Sequence, residues 1–391
     1  MSKELTEKYK NEIKQETVIQ VIGKVNKRPQ NQIKKEMKTG EIEVEAEKIE
    51  ILSQAETPLP IDLSKETETS IDKRLDYRFL DLRKEKIKSI FTIRSKIYEL
   101  TNQFFPSQGF INIQTPKLTA SGVESGAEEF KIPYFGKTAS LAQSPQVYKQ
   151  MFVVSGLERV YEIGPVFRAE KSHTTRHLTE FTGIDLEMGF IQDERDVMKV
   201  VDEYFQYLFE KLPKECEKEL KQLNIQIPKP TEIPIISIGE AREVLGKKFG
   251  KKISKEDDLD AEAEKLMGEY SKKELESDLI FVTEYPWKKR PFYHMRPEDK
   301  TKTKSFDLIY KGVEIGTGAQ REHRLEILEK QAEEKGINLK QMEFYRNIFR
   351  YGCPPHGGIG IGLDRIVEQM LELGNVREAV LLPRDTERLT P

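Results

Sequence analysis

Residues 159–190, RVYEIGPVFRAEKSHTTRHLTEFTGIDLEMGF, alternate apolar and polar side chains on either side of a basic loop, Lys171 to His177, and so predict a long antiparallel hairpin. Strand side chains alternate with period two, which sorts them. In the first strand Glu162, Arg168 and Glu170 share a face opposite Tyr161, Ile163 and Phe167. In the second, Phe181, Asp185 and Glu187 share a face opposite Ile184, Leu186, Met188 and Phe190. One face can join a core, while the other gathers carboxylates, an arginine and an aromatic ring. Taken alone, that polar face reads first as a salt-bridged surface.

The hairpin sits in a chain of 391 residues, long enough for a small module and a larger catalytic domain. Its 64 basic and 67 acidic residues nearly cancel, so solvated helices are expected without a global field. The two cysteines, Cys216 and Cys353, form no CxxC pair, which argues against structural zinc. Neither a signal-peptide pattern nor an apolar run of about eighteen residues occurs, so no membrane partner and a cytoplasmic location are expected.

In chain order, residues 17–25 and 42–52 read as strands, and the Pro/Ser/Thr-rich stretch to Ser70 reads as a linker. Ile90, Ile93, Ile97, Leu100 and Phe104 recur at helical spacing, followed by the short strand GFINIQTPKL, 109–118. TASGVESGAEEF, containing Glu124, is a loop suited either to a lid or to a plain surface connection. QSPQVYKQM, 143–151, supplies Gln146 and Lys149 ahead of the hairpin. Residues 213–303 show irregular Lys/Glu-rich helices and no chemistry, and are expected to be an insertion.

KSFDLIYKGVEIGTGAQRE, 304–322, returns to strand alternation around Lys311-Gly312. A two-residue turn there sets Ile309 against Glu314, with Asp307 two positions along on the same face. Asp307 and Glu314 then converge, either as a magnesium site or as two acids held by nearby Lys and Arg. GCPPHGGIGIGLDRIVEQMLEL, 352–373, is a Gly-rich strand leading into a helix with Arg365 in its first turn, which taken alone reads as a strand packed tightly on a helix and also offers a place where arginine can meet phosphate. No GxxxxGK[ST], completed GxGxxG or GxSxG occurs, so a nucleotide would lie on an antiparallel sheet between arginines and carboxylates.

GFINIQTPKL, FRAE with its loop and following strand, and GIGIGLDRI resemble, in order, motifs 1, 2 and 3 of the class II aminoacyl-tRNA synthetases. QSPQVYKQM, RHLTEF, GAQREH and PRDTERLTP resemble the aspartyl branch of archaeal and eukaryotic type. The resemblance implies an α+β catalytic domain with a mixed, mainly antiparallel sheet flanked by helices, at 84–391. It also implies a partial OB-type anticodon-binding module at 1–63 and a hinge at 64–83. Family members carry a five-stranded barrel of about a hundred residues where about fifty precede the linker here.

The implied substrates are ATP, L-aspartate and the acceptor end of tRNA(Asp), with Mg2+ as cofactor and a homodimer as assembly. Carried over by position, Arg168 and Arg365 take the α- and γ-phosphates and are the catalytic pair. Glu170 and Phe181 take the adenine, and His177 sits at a further ATP position. Asp307 and Glu314 hold magnesium, with Thr317 beside them at a metal- and aspartate-adjacent position. Gln146, Glu124 and Asp185 read the amino acid's ammonium group, while Lys149 and Arg321 take its side-chain carboxylate. The shortened module leaves two other readings, an amide synthetase making asparagine from aspartyl-adenylate and ammonia, and a non-catalytic regulatory protein. The filled ATP and magnesium positions argue against the second. The RLDYRFLDLR hinge and basic loop, suited to an acceptor stem, argue against the first.

Overall fold

The computed structural model describes residues 3–35, 37, 39–63, 69–120, 128–171 and 174–391, which form two compact units, Met1–Tyr77 and Arg78–Pro391. The first unit holds a short helix α1 (Lys3–Tyr9), an antiparallel ribbon of β1 (Val18–Lys27) and β2 (Ile42–Ser53), and helix α2 (Ile71–Asp76). Register shifts at Val18/Ile19 and Ile22/Gly23 twist the ribbon. Val18, Ile22, Val25, Val44 and Leu52 remain exposed, because two strands cannot enclose a core. The division between units falls at 77/78, inside the stretch expected to be a hinge. That stretch is partly helical after Ser70, whose hydroxyl caps α2 by accepting from Lys73 N.

The second unit opens with α3 (Arg78–Asp81), whose Arg78 guanidinium donates to the carbonyls of Glu378, Val380 and Leu381 and pairs with Asp81 at 2.9 Å. Helix α4 (Glu85–Ser107) buries the predicted stripe, with Ile93, Ile97 and Leu100 at zero exposure. The chain leaves it through Gly109 at φ +78° into β3 (Ile111–Asn112). A small sheet of β4 (Leu118–Ala120), β5 (Lys131–Tyr134) and β6 (Lys137–Leu141) precedes α5 (Gln146–Phe152) and the hairpin β7 (Arg159–Phe167) and β8 (Glu180–Gly189). Next come α6 (Glu194–Glu215), α7 (Glu217–Leu223), β9 (Ile235–Ser237), α8 (Ile238–Phe249), α9 (Ala261–Glu274) and β10 (Leu279–Thr283). The chain ends with β11 (Ser305–Tyr310), β12 (Val313–Gln320), α10 (Leu325–Glu334), α11 (Glu343–Arg350), β13 (His356–Gly362) and α12 (Leu363–Met370).

Among the described residues the main sheet runs β3-β7-β8-β13-β12-β11-β10-β9, antiparallel except for the β3–β7 and β10–β9 pairs. One face is closed by α4 and α6, whose apolar residues share a core with Ile184, Leu186 and Met188 of β8 and Ile359 and Ile361 of β13. Burying each such side chain stabilises by about 1.5–3 kcal/mol. The opposite face is left to Phe181, Asp185 and Glu187, as alternation predicts. Phe190 departs from that pattern: β8 stops at Gly189, and Phe190, at φ +58°, turns out to 69% exposure. Among the described residues no helix is long and apolar enough to cross a membrane.

Candidate active site

A cleft of about 390 Å3 lies over the polar face of β8, β13 and β12. Its floor depends on glycine. A Cβ at Gly358 would stand 2.2 Å from Glu187 Oε2, and one at Gly360 would stand 3.0 Å from Asp185 Oδ1. The Gly-rich strand therefore makes room for its neighbour's carboxylates, not only for a ligand. Asp185 and Glu187 meet two cations. Lys149 Nζ, from α5, lies 3.1 Å from Asp185 Oδ1 and 3.4 Å from Glu187 Oε2, and also donates to the carbonyls of Leu186 and Ile359. Arg321, just past β12, donates from Nε and Nη2 to the two oxygens of Glu187 at 2.9 and 3.2 Å. Burial alone would push Glu187 up, but Arg321 and Lys149 hold its carboxyl below the usual range. Gln146, on the same helix as Lys149, lines the cleft with its Nε2 buried and, among the described residues, without a hydrogen-bond partner.

Along β11 and β12 the Lys311-Gly312 turn has both residues at positive φ, 46° and 82°, as a two-residue hairpin loop requires. A bulge at Leu308/Ile309 then moves Thr317, not Gly316, opposite Asp307. Thr317 Oγ1 lies 2.8 Å from Asp307 Oδ1 and 3.1 Å from Glu314 Oε1, so Asp307 and Glu314 do converge, through the threonine. One hydroxyl proton serves two carboxylates. Arg290 takes both oxygens of Asp307, at 2.9 and 2.6 Å. Both alternatives raised for this pair thus have their elements present: an arginine holds one acid, and the all-oxygen set Asp307, Glu314 and Thr317 suits a hard cation. Among the described residues no group of three or more His, Cys, Asp or Glu forms a cage. Magnesium is commonly held by one or two carboxylates plus substrate phosphates, so the set fits it.

At the other end Arg168 lies over the Phe181 ring at 5.2 Å and donates to Gln143 O at 3.4 Å. Arg365 donates to Glu314 O at 2.6 Å. It is placed by its neighbour: Asp364 accepts from Thr182 N at 2.8 Å and Arg94 Nη2 at 2.6 Å, fixing the start of α12 against β8. His177 sits 3.9 Å from Glu170; burial first, then Arg365, lowers its pKa, and its imidazole is held neutral. Arg176 pairs with Glu264 at 3.1 Å, and the same carboxylate accepts from Glu314 N.

The structure thus brings Arg168, Glu170, His177, Phe181, Gln146, Asp185, Glu314, Thr317, Arg321 and Arg365 to one cleft wall or floor. Asp307 joins them through Thr317, and Lys149 through Asp185. Glu124 lies outside the described residues. Sequence reasoning missed Glu187 as the clamp on Arg321. It also missed Glu264, Arg290 and His294, all in the stretch expected to hold no chemistry. The aromatic-rich run PWKKRPFYH, set in Lys/Glu-rich surroundings, was the available signal for the last two.

A glycine-backed antiparallel floor, flanked by arginines at one end and buried ion pairs at the other, is the class II synthetase arrangement. Residues 70–386 match the family described as tRNA synthetases class II (D, K and N), and the chain belongs to that family of aminoacyl-tRNA synthetases. Within it, the chain is similar to aspartate ligases. It is 45% identical over 383 residues to the aspartate–tRNA(Asp/Asn) ligase of Aeropyrum pernix, covering 97% of this chain and 85% of that one. It is 46% identical over 378 residues to the aspartate–tRNA(Asp) ligase of Pyrococcus abyssi, covering 96% and 84%. Among solved structures, the asparaginyl-tRNA synthetase of Pyrococcus horikoshii complexed with asparaginyl-adenylate superposes with a TM-score of 0.89 at 33% identity, covering all of this chain and 88% of that one. The aspartyl-tRNA synthetase of Entamoeba histolytica gives 0.82 at 33% identity, covering 96% and 79%.

Proposed function

We propose that the protein activates L-aspartate with ATP and transfers it to the 3′ end of tRNA(Asp). The observation that carries this reading is the pair of buried cations, Lys149 and Arg321, set at one end of the cleft. Asparagine would present a neutral amide to both. Each cation keeps a protein carboxylate, so the selection lies in its remaining donors: a side-chain carboxylate accepts from them at both oxygens, whereas an amide would turn an N–H2 donor toward one of them. Gln146 and Asp185 then face the ammonium group, Gln146 through its amide oxygen.

In the first step the α-carboxylate of aspartate attacks the α-phosphorus of ATP. An oxygen–phosphorus bond forms, the bond to pyrophosphate breaks, and aspartyl-adenylate results. The nucleophile is already ionised near neutral pH, so alignment and charge neutralisation suffice. Arg168 and Arg365 neutralise the phosphates, Phe181 stacks on the adenine, and Glu170 accepts from its amino group. Neutral His177 beside Glu170 adds a donor without another charge. Asp307 and Glu314, with Thr317 beside them, would hold a magnesium ion, which when bound neutralises phosphate charge and orients the leaving group. In the second step the terminal ribose hydroxyl of tRNA attacks the activated carbonyl and AMP leaves. The basic loop around Arg176 supports contact with the acceptor stem, and the 1–63 module contact with the anticodon end. Exposed Phe79, Leu381 and Leu382 support a homodimer, and a cytoplasmic location belongs to the same reading.

Pyrophosphate exchange with aspartate and with asparagine, followed by charging of tRNA(Asp) and tRNA(Asn) transcripts, tests this. Aspartate-dependent exchange and charging of tRNA(Asp) are expected. Exchange without charging, accompanied by ammonia-dependent asparagine formation, would replace the ligase reading with an amide synthetase.

A further inference from the structure

His294 belongs to neither the motifs nor the ion pairs, yet it lies against the most selective group of the cleft. Its backbone bridges antiparallel to Arg321, and Met295 N donates to Gln320 O and Glu322 N to Tyr293 O, each at 2.9 Å, so its position is set by main-chain pairing. The imidazole is 2% exposed, and Nε2 lies 3.2 Å from Arg321 Nη1. A guanidinium only donates, so Nε2 must carry the lone pair and Nδ1 the hydrogen. Burial, then Arg321, Arg290 and Lys149, push the imidazole's pKa well below its ordinary value and agree with this neutral form. Nδ1 is buried and has no hydrogen-bond partner among the described residues, in a residue that lines the cleft.

Counting hydrogens gives the consequence. Arg321 has five N–H groups. Glu187 takes one from Nε and one from Nη2, and His294 takes one from Nη1. One N–H is left on each terminal nitrogen, a pair that matches the two oxygens of a carboxylate. We propose that His294 is the positioning residue of the side-chain subsite: by accepting one hydrogen from Arg321 it fixes the guanidinium so that the remaining pair meets the substrate's side-chain carboxylate. The Nδ1–H left over is an uncommitted donor in a residue of the cleft wall. This inference rests on the aspartate reading given above.

The test is pyrophosphate exchange by His294→Leu, His294→Gln and His294→Asn variants, with KM for aspartate and for ATP measured separately and thermal melts run alongside. Glutamine carries its amide about as far from the backbone as Nε2 and can accept from Arg321, whereas asparagine reaches only as far as Nδ1. His294→Leu and His294→Asn are expected to raise KM for aspartate roughly 10- to 100-fold. KM for ATP should stay unchanged, and the preference for aspartate over asparagine should fall in step. His294→Gln should lie within a few-fold of the unaltered protein. Equal effects of Gln and Asn, an unchanged KM for aspartate in both, or a parallel rise in KM for ATP would overturn the proposal. If the Leu variant does not fold, the Gln/Asn comparison decides. Absence of aspartate-dependent exchange in the unaltered protein would instead overturn the function on which the proposal rests.

Discussion

Replacing Arg321 by methionine is the most informative single perturbation, because it separates binding from stability. Glu187 has no solvent exposure and meets Arg321 through both oxygens. Methionine fills much of the volume but leaves the carboxylate with Lys149 alone, 3.4 Å away. Breaking one side of a buried pair costs about 3–5 kcal/mol. Much of that is the stranded charge, so Glu187→Gln added to Arg321→Met should recover about 2 kcal/mol. The pH dependence identifies the cause. In the unaltered protein Glu187 titrates below its ordinary range, so its contribution is present above the unfolded pKa and is lost as pH falls through the folded one. Without Arg321, burial meets less opposition and the carboxyl rises. The folded variant then holds a proton that the unfolded chain releases, and its deficit should grow as pH rises above the ordinary carboxylate range. Urea denaturation followed by Trp287, the only tryptophan, reads this in the catalytic unit. A deficit below about 1 kcal/mol, or one that does not change with pH, would refute the reasoning.

Thr317→Val removes the hydroxyl shared by Asp307 and Glu314. It should raise the magnesium concentration needed for half-maximal exchange by roughly 3- to 10-fold while leaving KM for aspartate nearly unchanged; an unaltered magnesium titration would count against the site. Glu264, pushed up to about 7 by burial and then by the charge of Glu314, takes up a proton in the folded state between its ordinary 4.5 and that value. The protein therefore loses stability as pH rises through this window. Glu264→Gln cannot titrate, so its stability relative to the unaltered protein should improve across the window by on the order of 3 kcal/mol. Parallel pH–stability curves for the two proteins would exclude this assignment.

The hairpin was legible because period two and register agree: Glu162 pairs with Asp185 and Ile163 with Ile184, so each strand keeps the face its alternation assigns. The convergence of Asp307 and Glu314 was legible too, but by a simpler geometry than the one formed. The bulge at Leu308/Ile309 cannot be read from Lys-Gly spacing, and it is what puts Thr317 between the acids. Arg290, Glu264 and His294 were hidden for a different reason. In a segment rich in Lys and Glu, a buried ion-pair member looks like a solvated one, and only the tertiary contact distinguishes them. Phe190 shows the reverse error, an apolar residue assigned to the core by parity one position beyond the strand.

Charge balance along the cleft links these residues to the chemistry. At the end proposed to take the amino acid each cation already has carboxylate partners: Lys149 and Arg321 stand against Asp185 and Glu187. The flanking cations are likewise matched, Arg290 by Asp307 and Arg176 by Glu264. At the end proposed to take the nucleotide the described residues give Arg168 and Arg365 no ion pair; one rests on a ring and a carbonyl, the other on a carbonyl. Unbalanced cations in a partly dehydrated cleft attract polyanions strongly and with little discrimination, which suits a triphosphate common to every synthetase. Balanced cations attract weakly at a distance and select by hydrogen-bond geometry at contact. On this reading affinity comes mainly from one end and specificity from the other. Substitutions at Arg168 or Arg365 should therefore act on KM for ATP across all amino acids offered, and substitutions around Arg321 on the choice among them.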